Sequence, residues 1–183
     1  QKTVFFVRLL QRRVKAEDIR LELTAQLQRC HNAGVKLDHM DSHHHIHAAP
    51  MVRRICANLR HNFLLSAVRR ITQPVQLLMS WAQIEHHFVS LVDQAPRHAI
   101  SPKHFWGFDL MHARNKTAAL LNILKTLGPG THELMCHPGF MSHENVGAMN
   151  EKRQQEVSAL CSAAARELVE QRLIELITFR DLL

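Results

Sequence analysis

Between Val35 and His47 the chain alternates in a period of two, and a helical pattern bounds this stretch on each side. In an extended chain Val35, Leu37, His39, Asp41, His43, His45 and His47 share one face, apolar at its start and polar toward its C-terminal end. Strands alternating with helices build a parallel sheet through crossover connections. In parallel barrels the ligands and catalysts gather at the carboxyl ends of the strands. That end here carries Asp41-Ser-His-His-His-Ile-His47. The alternation is expected to break near His43, so the odd-numbered histidines are not expected all to point together.

The rest of the chain repeats the alternation of elements. Ala16–Ala33 sets Ile19, Leu23, Leu27 and Cys30 on one helical face, and Gly34 suits the left-handed residue that ends a helix. Pro50 can open a helix to Leu59 with Met51, Ile55 and Leu59 on one side. Leu64–Val68 reads as a strand, Gln76–Val92 as a helix, and Ala95–Phe108, with Pro96 and Pro102, as a loop. Lys116–Leu127 is predicted as a helix closed by Gly128-Pro129-Gly130, and His132–Cys136 as a strand entering Pro138-Gly139. Glu151–Gln171 reads as one long helix and Leu173–Phe179 as a last strand. No repeat or low-complexity segment interrupts this order, and the expectation is one α/β domain over residues 1–183.

Composition narrows the classes of function. The formal charge of +7 raises nucleic-acid binding. The basic residues are spread as pairs (Arg12-Arg13, Arg53-Arg54, Arg69-Arg70) with no interleaved aromatics and no binding motif, which argues against that partner. No run of about 18 apolar residues occurs, so no membrane span is expected. The apolar part of Gln1–Gln11 is too short for a signal peptide, and no small-residue cleavage site follows. Cys30, Cys56, Cys136 and Cys161 form no CxxC, and three lie in apolar periodic stretches. That pattern leads us to expect reduced thiols in a cytoplasmic setting. At 183 residues the chain is short for a complete barrel, and with Gln1 first it is expected to lack an upstream part.

Neutral imidazole and carboxylate are the ligands that suit zinc and related divalent ions, and a neighbouring carboxylate can orient a ligand's other ring nitrogen. Asp41 beside His43 suits either part. The competing reading is a histidine-rich surface loop that binds metal adventitiously; a tag remnant is disfavoured because the tract is internal and interrupted by Ile46. His44, on the opposite face, is expected to be structural, and His86, His87 and His104 to be surface or loop residues. A second component is Glu133-Leu-Met-Cys-His-Pro-Gly139, where an apolar strand delivers His137 to a turn. An imidazole there can act as a general acid. Alone, a histidine before Pro-Gly is more often a turn residue, and the company of the first cluster favours catalysis.

These two segments together resemble the YdjC-like family of carbohydrate deacetylases, which includes chitooligosaccharide deacetylases. The likeness rests on His39-Met-Asp-Ser-His-His-His-Ile-His47 followed by Pro50, and on Glu133-Leu-Met-Cys-His-Pro-Gly-Phe140 about ninety residues on. Phe105-Trp-Gly107, Gly128-Pro-Gly-Thr131 and Ile177-Thr-Phe-Arg-Asp-Leu182 support it, so it runs in order over essentially the whole chain.

The resemblance implies a distorted TIM-like (β/α) barrel of the polysaccharide-deacetylase-like type, with its first strands missing from this chain. It implies hydrolysis of N-acetyl groups on acetylated amino-sugar oligosaccharides, with one divalent ion, Mg2+ or Zn2+, held by an Asp and two His. The family's first motif histidine maps onto His43 as a metal ligand, and His137, read above as a general acid, is expected to be the catalytic acid. Asp41, His45, His47 and Arg69 are expected to support the site or bind substrate, a solvated charge being the other reading of Arg69. Trp106 and Phe105 are expected to stack on sugar or to pack in the core, at least one of them in the core.

In the family the other ligands and the base belong to an Ala-Asp-Asp-Phe-Gly stretch and a Gly-x-His-x stretch, and neither occurs in this sequence. The chain alone is therefore expected to be inactive or nearly so, and its exposed sheet edges to favour a homodimer. Two other readings stay open: a non-catalytic metal- or sugar-binding remnant, and a metal-dependent hydrolase of another substrate on the same scaffold.

Overall fold

Two short parallel ladders organise the computed structural model, which describes residues 2–11, 13–71, 99–141 and 148–183. The expected helix Gln76–Val92, with His86 and His87, lies outside the described residues. Those described fall into two compact units, one holding residues up to 71, 99–101 and 177–183, the other residues 102–141 and 148–176.

The first unit contains α1 (Lys2–Leu10), α2 (Ala16–Asn32), β1 (His39–Met40), a 3-10 turn (His43–Ala48), α3 (Pro50–Asn62), β2 (Ala67–Val68) and a C-terminal 3-10 turn (Phe179–Leu182). Helix α2 ends as its sequence predicts. Gly34 takes φ +73°, its N–H donates to His31 O at 2.9 Å, and the Val35 N–H reaches back to Cys30 O at 3.1 Å. On α3 the buried residues are Val52, Cys56 and Leu59, with Met51 and Ile55 half-buried beside them, so the core-facing stripe is shifted from the expected Met51–Ile55–Leu59 line. Ile19, Val52 and Cys56 form the centre of this core, packed by Phe5, Leu9, Leu23 and Met40. Burial pushes the Cys56 thiol up to about 11, so it serves as a small hydrophobe.

Strands β1 and β2 pair in parallel with His39 opposite Ala67 and Met40 opposite Val68. On the far side of β2, the Val68 N–H donates to Ile100 O at 3.0 Å and the Ile100 N–H to Ser66 O at 3.1 Å. Ala67 and Val68 are buried, as befits a strand bonded on both edges.

The second unit contains β3 (His104–Trp106), α4 (Phe108–His112), α5 (Lys116–Thr126), β4 (His132–Leu134), α6 (Ala148–Leu160) and α7 (Ala163–Gln171). Its core is Leu110, Leu120, Ile123, Leu124, Ala159 and Ala165, against which Trp106, Leu134, Cys136 and Ile174 pack. Phe105 on the other face of β3 is fully buried beside Phe108.

Three expected elements differ. The Ala95–Phe108 loop carries a bridge at Ile100 and strand β3, because Pro102 falls between the two pairings, where no ladder donor is required. The long helix Glu151–Gln171 is two helices, since Ser162 stops the first by donating to Ala159 O at 2.8 Å and caps the second by accepting the Ala165 N–H at 3.2 Å. The strand Leu173–Phe179 does not form. Asp181 instead takes the Thr178 N–H at 2.7 Å and its hydroxyl at 2.6 Å, a local capping box in place of a ladder.

Two helix ends use leucine where α2 uses glycine. Leu64 after α3 and Leu173 after α7 take φ +56° and +52° within the same pair of backbone bonds. A Cβ in that conformation crowds the following carbonyl. Leu173 is 91% exposed, so little packing would be lost by removing it. Leu173→Gly is expected to raise the unfolding free energy by roughly 0.5–1 kcal/mol, read from urea midpoints; an unchanged or lower midpoint would refute the strain.

The fold is thus mixed α/β with parallel pairing. The two ladders are separate two-stranded sheets, and among the described residues the strands close no barrel. None of the described helices is long and apolar enough to cross a membrane.

Candidate functional site

The register of β1 and β2 decides what meets Asp41. The ladder continues one step past β2, where the Arg69 N–H donates to Met40 O at 3.0 Å. This sets Arg69 beside Asp41, and its guanidinium pairs with Asp41 Oδ2. The Ser42 N–H donates to Asp41 Oδ1 at 2.6 Å, so both carboxylate oxygens are held. Arg69 thus fixes Asp41.

Past Asp41 the extended backbone ends at Ser42 (φ −143°, ψ 147°), and His44 and His45 both take left-handed conformations (φ 54° and 56°). The alternation breaks at His43, as the sequence predicts. Ser42 Oγ accepts the His47 N–H at 2.9 Å and hydrogen-bonds His47 Nδ1 at 2.6 Å. His47 is 2% exposed, with Nδ1 3.9 Å from Asp41 Oδ1. His45 is half-buried and edge-on to His47, with ring centroids 6.2 Å apart. His43 and His44 are exposed, and their rings touch at 4.0 Å. Asp41, Ser42, His47 and Arg69 are thus drawn into one network, while His43 presents its imidazole at the edge of the turn.

A divalent ion of this class needs about three protein ligands. Among the described residues no group of three or more His, Cys, Asp or Glu is placed to hold one. The His43 ring is exposed, and the Asp41 carboxylate two residues earlier is tied to Arg69.

Strand β4 leads through buried Met135 to His137, half-buried before Pro138. The His137 N–H donates to Glu156 Oε2 at 2.5 Å, and the ring Nδ1 is buried with no hydrogen-bond partner among the described residues. Glu156 Oε1 lies 3.8 Å from Lys116 Nζ, which donates to Leu110 O at 2.6 Å and Met111 O at 2.7 Å. Burial depresses the Lys116 pKa, and the Glu156 charge opposes this.

Neither Glu156 nor Lys116 stood out in the sequence. The Arg153–Arg172 stretch reads as a charged covering helix, and Glu156, between Gln155 and Val157, breaks no pattern that would place it inside. His104, expected on a surface or loop, lies in β3 and stacks on His132 at 4.8 Å, because the register sets the two opposite. His132 Nδ1 accepts from Trp106 Nε1 at 3.0 Å, and Nε2 bonds Gly128 O at 2.9 Å, an arrangement that places the His132 proton on Nε2. Burial, reinforced by His132 and Lys103, lowers the His104 pKa. Trp106 also packs against the core of its unit.

Comparison with known proteins agrees with this arrangement of motifs. The sequence profile of the YdjC-like protein family matches residues 2–171. A carbohydrate deacetylase of Brevibacillus brevis is 27% identical over 169 residues, 91% of this chain and 62% of that protein. The chitooligosaccharide deacetylase of Proteus mirabilis is 27% identical over 181 residues, 94% of this chain and 64% of that one. The chain therefore spans a little over three-fifths of the length of these curated relatives. A proposed cellobiose-phosphate cleavage protein of Enterococcus faecalis V583 superposes with a TM-score of 0.67 at 22% identity, over 94% of this chain and 63% of its own, a likeness of fold. With the profile matched over nearly its whole length, this chain belongs to the YdjC-like protein family.

Proposed function

We propose that this chain is part of a metal-dependent carbohydrate deacetylase that hydrolyses N-acetyl groups on acetylated amino-sugar oligosaccharides, with chitooligosaccharides as the substrate class. The reading is carried by one observation. In a member of this family, a carboxylate held at both oxygens stands at the C-terminal end of a parallel strand, two residues before an exposed histidine. The barrel implied by the family resemblance is proposed for the full-length protein.

Within that reading His43 is a metal ligand, and Asp41, fixed by Arg69 and the Ser42 amide, orients the histidines around it. Ser42 holds the His47 ring, and His45 and His47 wall the site. His43 would hold one position of a divalent ion, Mg2+ or Zn2+, whose chemistry when bound would be Lewis acidity toward the acetamide carbonyl and a lowered pKa for water. Hydrolysis adds water to the carbonyl carbon, breaks the C–N bond and releases acetate. The departing nitrogen takes a proton, which we assign to the His137 imidazole. The remaining ligands and the base are proposed to come from the part of the relatives that this chain does not span.

The test is acetate release from diacetylchitobiose by the full-length protein, with Mg2+ or Zn2+ added. Turnover supports the reading; a folded protein that releases no acetate from any N-acetylated oligosaccharide with either ion sinks it. Cleavage of cellobiose phosphate instead would move the assignment to a different substrate on the same scaffold. In the same assay Arg69→Ala is expected to cost about 10–100-fold in activity or metal affinity, the usual effect of losing a group that orients a ligand. An Arg69→Ala protein with unaltered kinetics and metal content would show that its pairing with Asp41 has no part in the chemistry.

A further inference from the structure

We propose that Lys116 and Glu156 are positioning residues that set where His137 presents its ring. The proposal rests on the reading of His137 as the proton donor. Both side chains are almost wholly buried, at 3% and 2% exposure. Apolar side chains of equal volume would fill this space without burying two charges, and such replacements are often neutral or stabilising. What the charges add is direction, since hydrogen bonds to ionised groups are short and strong.

Each side chain binds backbone at a place where regular structure ends. Lys116 Nζ holds the carbonyls of Leu110 and Met111 in α4. Glu156, in α6, takes the His137 N–H just beyond β4. The last observed rung between β3 and β4 is the Met135 N–H to Trp106 O at 2.9 Å. Glu156 thus takes over holding the chain two residues after the sheet stops doing so. Pro138 has no N–H, and the next donor, Gly139, reaches Arg153 O only at 3.4 Å. The Glu156 contact is therefore the short, charge-assisted tie nearest the His137 ring. Lys116 Nζ stands 3.8 Å from the other oxygen of Glu156, so the two buried side chains form one pair.

The test uses the whole chain labelled with 15N, and reads backbone amide exchange together with the His137 ring titration. Two variants are compared with the wild type: Glu156→Gln, which keeps an oxygen acceptor, and the paired apolar replacement Lys116→Met with Glu156→Leu. The apolar pair is expected to fold, to free the His137 amide to exchange about tenfold or more faster, and to shift the ring titration. Glu156→Gln, which keeps an acceptor and removes the charge, is expected to speed His137 exchange by a smaller factor, about three- to tenfold.

An apolar pair that folds with His137 exchange and titration unaltered overturns the proposal. So does one in which protection falls equally throughout α5 and α6, because a merely structural pair would do that. Should the apolar pair fail to fold, Glu156→Gln decides alone, and His137 exchange unaltered in that variant overturns the proposal. In the full-length protein the apolar pair is expected to lower kcat about tenfold with KM nearly unchanged. Absence of acetate release from the wild type would sink the functional reading, and the exchange result would still decide the positioning role.

Discussion

Replacing His43 by alanine in the full-length protein is expected to lower acetate release by more than about 100-fold and to cut bound metal at stoichiometric loading. The magnitude follows from the hierarchy of ligand effects: partners that merely orient a ligand cost about 10–100-fold, and the ligand itself stands above that range. The structure adds a reason to expect a clean result. His43 is exposed at the edge of its turn, and its ring contacts only His44 among the ring pairs of the motif. Its removal should leave the Asp41–Ser42–His47–Arg69 network and the core of α2 and α3 in place. The thermal midpoint of His43→Ala should therefore stay close to wild type. His47→Ala is the contrasting variant, because it deletes a buried ring that Ser42 bonds and should lose stability as well. Full metal content in a folded His43→Ala protein would refute the ligand assignment.

Gly107→Ala is expected to destabilise the chain by more than about 3 kcal/mol, with the loss read from urea unfolding. Two causes combine at this residue. Its φ of +119° is open to glycine and scarcely to other residues. A Cβ there would sit 2.1 Å from the carbonyl oxygen of Met135. That oxygen belongs to backbone held in the ladder by the Met135 N–H to Trp106 O bond, so it cannot swing aside as a side chain would. The clash would part β3 from β4 two residues before His137, so activity should fall along with stability. Gly128→Ala is the control: a Cβ there meets nothing within 4 Å and its φ is not left-handed, so its cost should be small. A loss below about 1 kcal/mol at Gly107, similar to that at Gly128, would show that the close approach relaxes.

Much of this was legible residue by residue. The helix at Ala16–Ala33 and its Gly34 ending, the helix opened by Pro50, and the strand entering His137 follow from periodicity and from local backbone chemistry, which act over a few neighbouring residues. The break of alternation at His43 was legible for the same reason. Elements failed where a local polar group overrode the apolar pattern. Ser162 divided a helix and Asp181 drew Thr178 out of a strand, each through hydrogen bonds that compete with regular structure at similar energy.

The motifs from Asp41 to His47 and from Glu133 to Gly139 were enough to point to the family, because that likeness resides in residue types and their spacing. Tertiary structure decided which groups serve them. That Arg69 fixes Asp41 depends on the register of β1 against β2, and a shift of one residue would turn its side chain to the other face. That Glu156 and Lys116 stand inside, holding His137, depends on helix packing between residues far apart in the chain. Such pairings carry no trace in local periodicity, since a buried ion pair and two solvated charges are spelled with the same letters.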